Sequence, residues 1–333
     1  MKNKMINIKL IFLCSFMLLM ILDSKTALIS TSKALELCIK TIIPGVFPLL
    51  FLSSAISSEM HNFTVPILER ILHIPKGTSG YFLIGLLCGY PVGGKLLQDG
   101  INKKTISKDA ACRMMAFCNN ASPAFIIGIL APIFSSGLLA IVMWIIQTCS
   151  STLLGMLLPK SKMDSICHEY IANKNIGQVM WESIKAVATI CGWVIMFGIV
   201  VAYLDAPVIG RLSTIPRILI SGSLELTNGI IGVGSVASAS IAFTISAILL
   251  SFGGTCVILQ TKSVAPDLKI LPYIRARMIH AGISGSLASI FSTFLFQSPT
   301  DTLKIVPLFL CLVFTGILIL HFNKKEVAIN INM

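Results

Sequence analysis

Apolar residues in this chain come in long continuous blocks separated by short polar or basic connectors. The blocks run over Leu10–Leu22, Ala34–Ile56, Gly80–Leu97, Ala110–Ile133, Ser136–Leu158, Val179–Tyr203, Ser235–Leu259, Pro272–Phe296 and Leu303–Leu320. A helix needs ~20 apolar residues to cross a bilayer, whereas barrel strands alternate over about ten. The pattern therefore predicts an all-α integral membrane protein with about 8 membrane helices. Lys2, Lys4 and Lys9 precede Leu10–Leu22. That is also how a secretory signal starts, but no clear small-x-small site follows, so residues 1–25 are expected to form an N-terminal membrane helix with its basic end in the cytoplasm.

Several blocks are broken by residues that do not suit a regular helix. Cys88-Gly89-Tyr90-Pro91-Val92-Gly93-Gly94-Lys95 lies inside an apolar run. Proline removes a backbone donor and glycine exposes backbone, and broken backbone survives in a bilayer only where protein or a water-filled cavity covers it. Phe117-Cys118-Asn119-Asn120-Ala121-Ser122-Pro123 is a second break, Leu224-Glu225-Leu226-Thr227-Asn228-Gly229 a third, and Ser251-Phe252-Gly253-Gly254-Thr255 a fourth. Such interruptions predict broken helices and re-entrant hairpins around a path.

The pieces also repeat. Pro66, Arg70 and Pro75 recur with the same spacing as Pro207, Arg211 and Pro216. Tyr90–Gln98 aligns with Phe252–Gln260, and Arg113-Met114 with Arg277-Met278. The offset widens between the first match and the second, which places an insertion around Leu219–Ser240. Two internal repeats are expected, over 34–158 and 179–320, with Gly89–Lys95 paired to Phe252–Thr255.

Composition agrees with the pattern. Of 333 residues, 55% are hydrophobic and 12% charged, and the mean hydropathy is +0.88. The net charge of +12 comes from basic residues in short connectors. That argues for cytoplasmic loops facing anionic lipid, with the lipid bilayer rather than nucleic acid as partner. The ten cysteines lack metal-ligand spacing and read as small buried hydrophobes. No P-loop, zinc-protease helix or nucleophile elbow is visible, so neither an enzyme nor a cofactor or metal site is expected. The five histidines read as interfacial or loop residues.

Polar groups at membrane depth are costly and mark function or pairing. The candidate solute contacts are Gly89, Tyr90, Pro91, Gly93, Gly94 and Lys95 at the first break, and Asn119, Asn120 and Ser122 at the second. Glu225, Thr227 and Asn228 follow at the third, and Gly253, Gly254 and Thr255 at the fourth. Lys95 is either a cation beside an anionic solute or a lysine snorkelling from a helix end. The asparagines either bind a polar solute or form a satisfied interhelical cluster. Glu225 is a proton or cation site, a structural partner (with Lys95 as one choice), or a helix cap. Arg113 and Arg277 are expected to hold backbone carbonyls or lipid phosphate.

Gly89-Tyr90-Pro91-x-Gly93-x-Lys95, Phe117-Cys118-Asn119-Asn120-x-x-Pro123 and Leu224-Glu225-x-Thr227-Asn228-Gly229, in this order, resemble the YlbJ/SpoVV sporulation integral membrane protein family. That family belongs to the nucleoside recognition ("gate") domain group. The resemblance covers roughly Ala34 to Phe296. It implies gate-like repeats, a multi-pass protein of the cell membrane or the outer forespore membrane, and movement of dipicolinic acid from mother cell toward forespore. A small anionic solute such as dipicolinate is then the expected cargo. A nucleoside-type permease and a non-transporting scaffold for sporulation proteins are the alternatives.

Overall fold

The computed structural model describes residues 2–56, 63–160, 175–205 and 207–296. The expected last span, Leu303–Leu320, lies outside them. Among the described residues the chain is all helical apart from one isolated bridge between Phe63 and Thr78. Six helical stretches are long and apolar enough to cross a membrane: Ser24–Ile56, Lys108–Phe134, Gly137–Leu157, Ile176–Asp205, Ala239–Val264 and Ile270–Phe296. The protein is built as a multi-pass membrane protein. The apolar part of α1 (Lys2–Leu22), Leu10–Leu22, is a shorter helix.

Helix α2 (Ser24–Leu37) starts at Asp23, whose carboxylate accepts from the Thr26 N–H at 3.2 Å. It runs through a π turn, Cys38–Ile42, into α3 (Ile43–Ile56). Pro44 and Pro48 cannot donate to the helical ladder, and the ladder changes register just ahead of them. A short helix α4 (Pro66–Leu72) precedes α5 (Ser79–Cys88) and α6 (Val92–Asn102).

The apolar run at Gly80–Leu97 is not a span. It folds back as a hairpin, with α5 packed on α6 and Gly89 at φ 79° in the turn. Both arms straddle the end of α7 (Lys108–Cys118). A β-carbon at Gly85 or at Gly93 would overlap the Cys118 carbonyl oxygen, so only glycine permits this approach.

Helix α7 stops at Asn119, and α8 (Pro123–Phe134) starts again under a Ser122 cap, giving one broken span. Helix α9 (Gly137–Leu157) then runs unbroken. After α10 (Ile176–Asp205) and a 3-10 turn at Ile209–Arg211, the succession recurs. Helices α11 (Thr214–Leu224) and α12 (Leu226–Val233) form a second hairpin hinged on Glu225 and closed by Gly222 against Gly229. A second broken span follows, α13 (Ala239–Phe252) and α14 (Gly254–Val264), and then the unbroken α15 (Ile270–Phe296). Large apolar side chains such as Leu28, Leu138, Trp181 and Phe294 are exposed around the outside, where a soluble protein would be polar.

Candidate functional site

The tips of the two hairpins and the two broken spans meet at one place. A cavity of about 120 Å³ is lined by Cys88, Tyr90 and Pro91 from the first hairpin and by Glu225, Leu226 and Thr227 from the second. Ser122, Ala124 and Phe125 enter from the first broken span, and Val257 and Gln260 from the second. The wall is completed by Thr41, Ile42, Gly45 and Val46, at and just after the π turn, with Ile190 and Val194 of α10.

These residues share a position within their elements. Pro91 precedes α6, Ser122 caps α8, Glu225 caps α12, and Val257 lies in the first turn of α14. Four half-helices therefore begin at the cavity. A helix start carries about half a positive charge, which favours negative charge beside it, and some of the first N–H groups here are already held by Ser122, Asn119 and Glu225. Among the described residues Glu225 is the only ionisable acid or base in the lining besides Cys88 and Tyr90. Its carboxylate accepts the Thr227 N–H at 3.1 Å and the Asn228 N–H at 2.8 Å. The buried Tyr90 hydroxyl has no hydrogen-bond partner among the described residues.

Five sequence-selected residues thus line the cavity: Tyr90, Pro91, Ser122, Glu225 and Thr227. The others hold it in shape. Asn119 is saturated: its amide N–H groups reach Thr261 Oγ1 at 3.1 Å and the Tyr273 hydroxyl at 2.8 Å, and its oxygen accepts the Gly94 N–H at 3.2 Å. Asn120 donates to the Phe117 carbonyl at 2.7 Å. The satisfied-cluster reading of the asparagines is the one these bonds describe. Gly93 packs on the Cys118 carbonyl and Gly94 on Thr261. Thr255 donates to the Ser223 carbonyl at 3.0 Å, pinning α14 to the second hairpin beside Gly253 and Gly254.

Lys95 is buried away from the lining. Its ammonium is 2.7 Å from Asp99 and 3.4 Å from Glu182 of α10. It pairs with these carboxylates and not with Glu225. Nearby, Gln98 holds Asp267, accepting the backbone N–H at 3.0 Å and donating to the carboxylate at 2.6 Å.

Arg113 and Arg277 hold backbone carbonyls, as their residue type suggested. Arg113 donates to Gly155 and Pro159, each at 2.7 Å. Arg277 is fully buried and donates to the carbonyls of Asn119 at 3.1 Å, Leu250 at 3.2 Å and Phe252 at 3.3 Å. It ties both broken spans to α15. His280 is neither interfacial nor in a loop: it is fully buried, 2.8 Å from the Ser150 hydroxyl and 3.2 Å from an Arg277 nitrogen. Arginine only donates, so the facing His280 Nδ1 accepts and the ring proton sits on Nε2.

Sequence reasoning missed Gln260, Cys88, Phe125 and Thr41. Cys88 and Phe125 adjoin the first two breaks, Thr41 and Gln260 sit in apolar helix sequence, and only the packing of the elements shows that all four face the cavity. Gln260 does carry a signal, an amide inside an apolar run.

A second, larger cavity of about 490 Å³ lies between α2, α10 and α12. Thr26, Ser30, Lys33, Asp205 and Asn228 supply its polar lining. Glu225 and Val194 line both cavities. Compared with known protein families, characterised proteins and solved structures, the chain finds no match in any of the three.

Proposed function

We propose that this protein is a transporter that moves a small anion across a membrane, with dipicolinate as the candidate cargo during sporulation. The observation that carries this reading is the meeting of four helix breaks, from two hairpins and two broken spans, at one cavity. A scaffold has no need of four energetically costly interruptions aimed at one point. Four helix starts favour an anion without requiring a lysine in the wall. The resemblance to the YlbJ/SpoVV family adds the specific cargo and the outer forespore membrane as location.

The reading includes an internal repeat, with a register different from the one the glycines suggest. Element order pairs hairpin with hairpin and broken span with broken span. The Gly89–Pro91 tip then corresponds to Glu225, and Asn119–Ser122 to Gly253–Gly254. No insertion around Leu219–Ser240 is needed.

One observation favours a second reading, a nucleoside-type permease. Tyr90 and Phe125 supply ring faces, and Gln260, Thr227 and Glu225 supply hydrogen-bonding groups for a neutral polar ring. Uptake by purified protein in liposomes separates the two. Saturable entry of labelled dipicolinate, with labelled nucleoside excluded, supports the anion reading. Nucleoside entry alone supports the permease. Entry of neither, in a strain whose spores keep normal dipicolinate after deletion of the gene, removes the transport reading.

A further inference from the structure

Glu225 stands where two requirements conflict. The helix starts at the inner cavity favour an anion, yet the only carboxyl group among the described lining residues is itself anionic when ionised. The carboxylate is buried at 3% exposure. No cation pairs with it among the described residues: Lys95 is taken by Asp99 and Glu182, and Arg277 by backbone carbonyls, Asn120 and His280. Its two backbone donors and the Thr227 side chain leave at least one lone pair open on the carboxylate. An unpaired buried carboxylate is expensive, and neutralisation by a proton is the ordinary escape.

The second cavity supplies a route for that proton. It reaches Glu225 between α2, α10 and α12, through a polar lining that includes Thr26, Ser30 and Asn228. The groups that face Glu225 from the packed elements are few. Helix α2 and the π turn bring Lys33 and Cys38, α10 brings Asp205, α14 brings Cys256, and the first hairpin brings Tyr90 and Cys88. Arg217 of α11 is engaged with Asp205 at 3.0 Å. The segments α8, α12 and α13 carry no other titratable side chain.

We propose that Glu225 is the proton-coupling residue: it takes up a proton through the cavity between α2, α10 and α12, and its neutralisation admits the anion to the inner cavity. The step is an acid–base exchange in which hydronium gives its proton to a Glu225 carboxylate oxygen and leaves water. Proton and anion then move in the same direction. An anion already at the helix starts favours the protonated carboxyl in return, because coupling between two sites is reciprocal.

The inference rests on the transport reading and is tested apart from it. Proteoliposomes are loaded so that the proton gradient points inward, outward or is absent, and labelled dipicolinate uptake is timed. An inward proton gradient is expected to speed uptake severalfold, and in Glu225→Gln the rates with and without the gradient become equal, whatever the residual rate. Wild-type uptake that ignores the gradient overturns the coupling and leaves transport standing. No uptake of dipicolinate overturns both. A second readout needs neither transport nor an active variant. Infrared difference spectra of the wild-type protein between acidic and alkaline buffer should contain a protonated-carboxyl band, enlarged at given pH by dipicolinate and missing from Glu225→Gln and displaced in Glu225→Asp. A band unchanged by these substitutions contradicts the assignment.

Discussion

Arg277 donates a hydrogen bond of 2.9 Å to the side-chain oxygen of Asn120. The bond joins an unbroken helix to the break between α7 and α8, while the same guanidinium holds Leu250 and Phe252 at the end of α13. Carbonyls released by a broken helix need donors, and water is scarce in a bilayer. Arg277→Leu orphans several of them at ~1–3 kcal/mol each. The variant should melt far below wild type in detergent. Arg277→Lys, with fewer donors in a different geometry, should recover only part of the loss. Equal melting temperatures for all three proteins would contradict this role.

Close packing of the first hairpin on α7 gives a prediction with a built-in control. Gly93→Ala drives a β-carbon into the Cys118 carbonyl, and overpacking of this kind costs about 1–3 kcal/mol. At Gly137, in the first turn of α9, nothing lies within 4 Å of an added β-carbon. Gly137→Ala should be neutral or stabilising by about 0.5–1 kcal/mol. Thermal unfolding of the two variants should move in opposite directions or differ by the overpacking cost.

The ion pair at Lys95 separates a structural role from a solute-binding one. Lys95 and Asp99 are both nearly buried, and breaking a buried pair by removing one partner costs up to about 3–5 kcal/mol. Lys95→Met should lower stability strongly, and Lys95→Met with Asp99→Leu should lower it less than the sum of the single changes. In whatever folded fraction remains, the KM for dipicolinate should stay close to wild type. A large rise in KM with unchanged stability would return Lys95 to the solute site.

Thr227 and Gln260 face the inner cavity from two elements of the second half, α12 and α14. Thr227→Val and Gln260→Leu keep approximate size and remove hydrogen-bonding groups. Each should raise the KM for transported anion by roughly ten- to a hundredfold if one hydrogen bond to charge is lost, on the order of 1.5–3 kcal/mol. Melting temperature should change little. A KM unaffected in both variants would place the solute elsewhere.

The breaks themselves were legible in the sequence, because Gly89, Pro91, Asn119, Glu225 and Gly253 stand out in apolar surroundings. Their roles were less legible. Asn119 looked like a solute ligand, but its partners Thr261 and Tyr273 lie more than a hundred residues away and are invisible to local reading. Lys95 has the same history, since Glu182 comes from α10. The proposed repeat register was hidden for a related reason. Aligning Tyr90–Gln98 with Phe252–Gln260 sets Gly93 against Thr255, whereas the proposed register sets Pro91 against Glu225, which share no chemistry. Gly80–Leu97 looked long enough to approach a span, but two apolar arms around a glycine turn have the same composition as one interrupted helix.

On the proposed function, the solute occupies the cavity where the four breaks meet. Cys88 lines that cavity and is partly exposed. With Cys88 kept as the sole cysteine, the rate of its modification by a small methanethiosulfonate reagent measures access to the cavity directly. Dipicolinate should slow the modification in proportion to its occupancy, and the modified protein should lose uptake. Modification at an unchanged rate, in dipicolinate that saturates uptake, would contradict the claim.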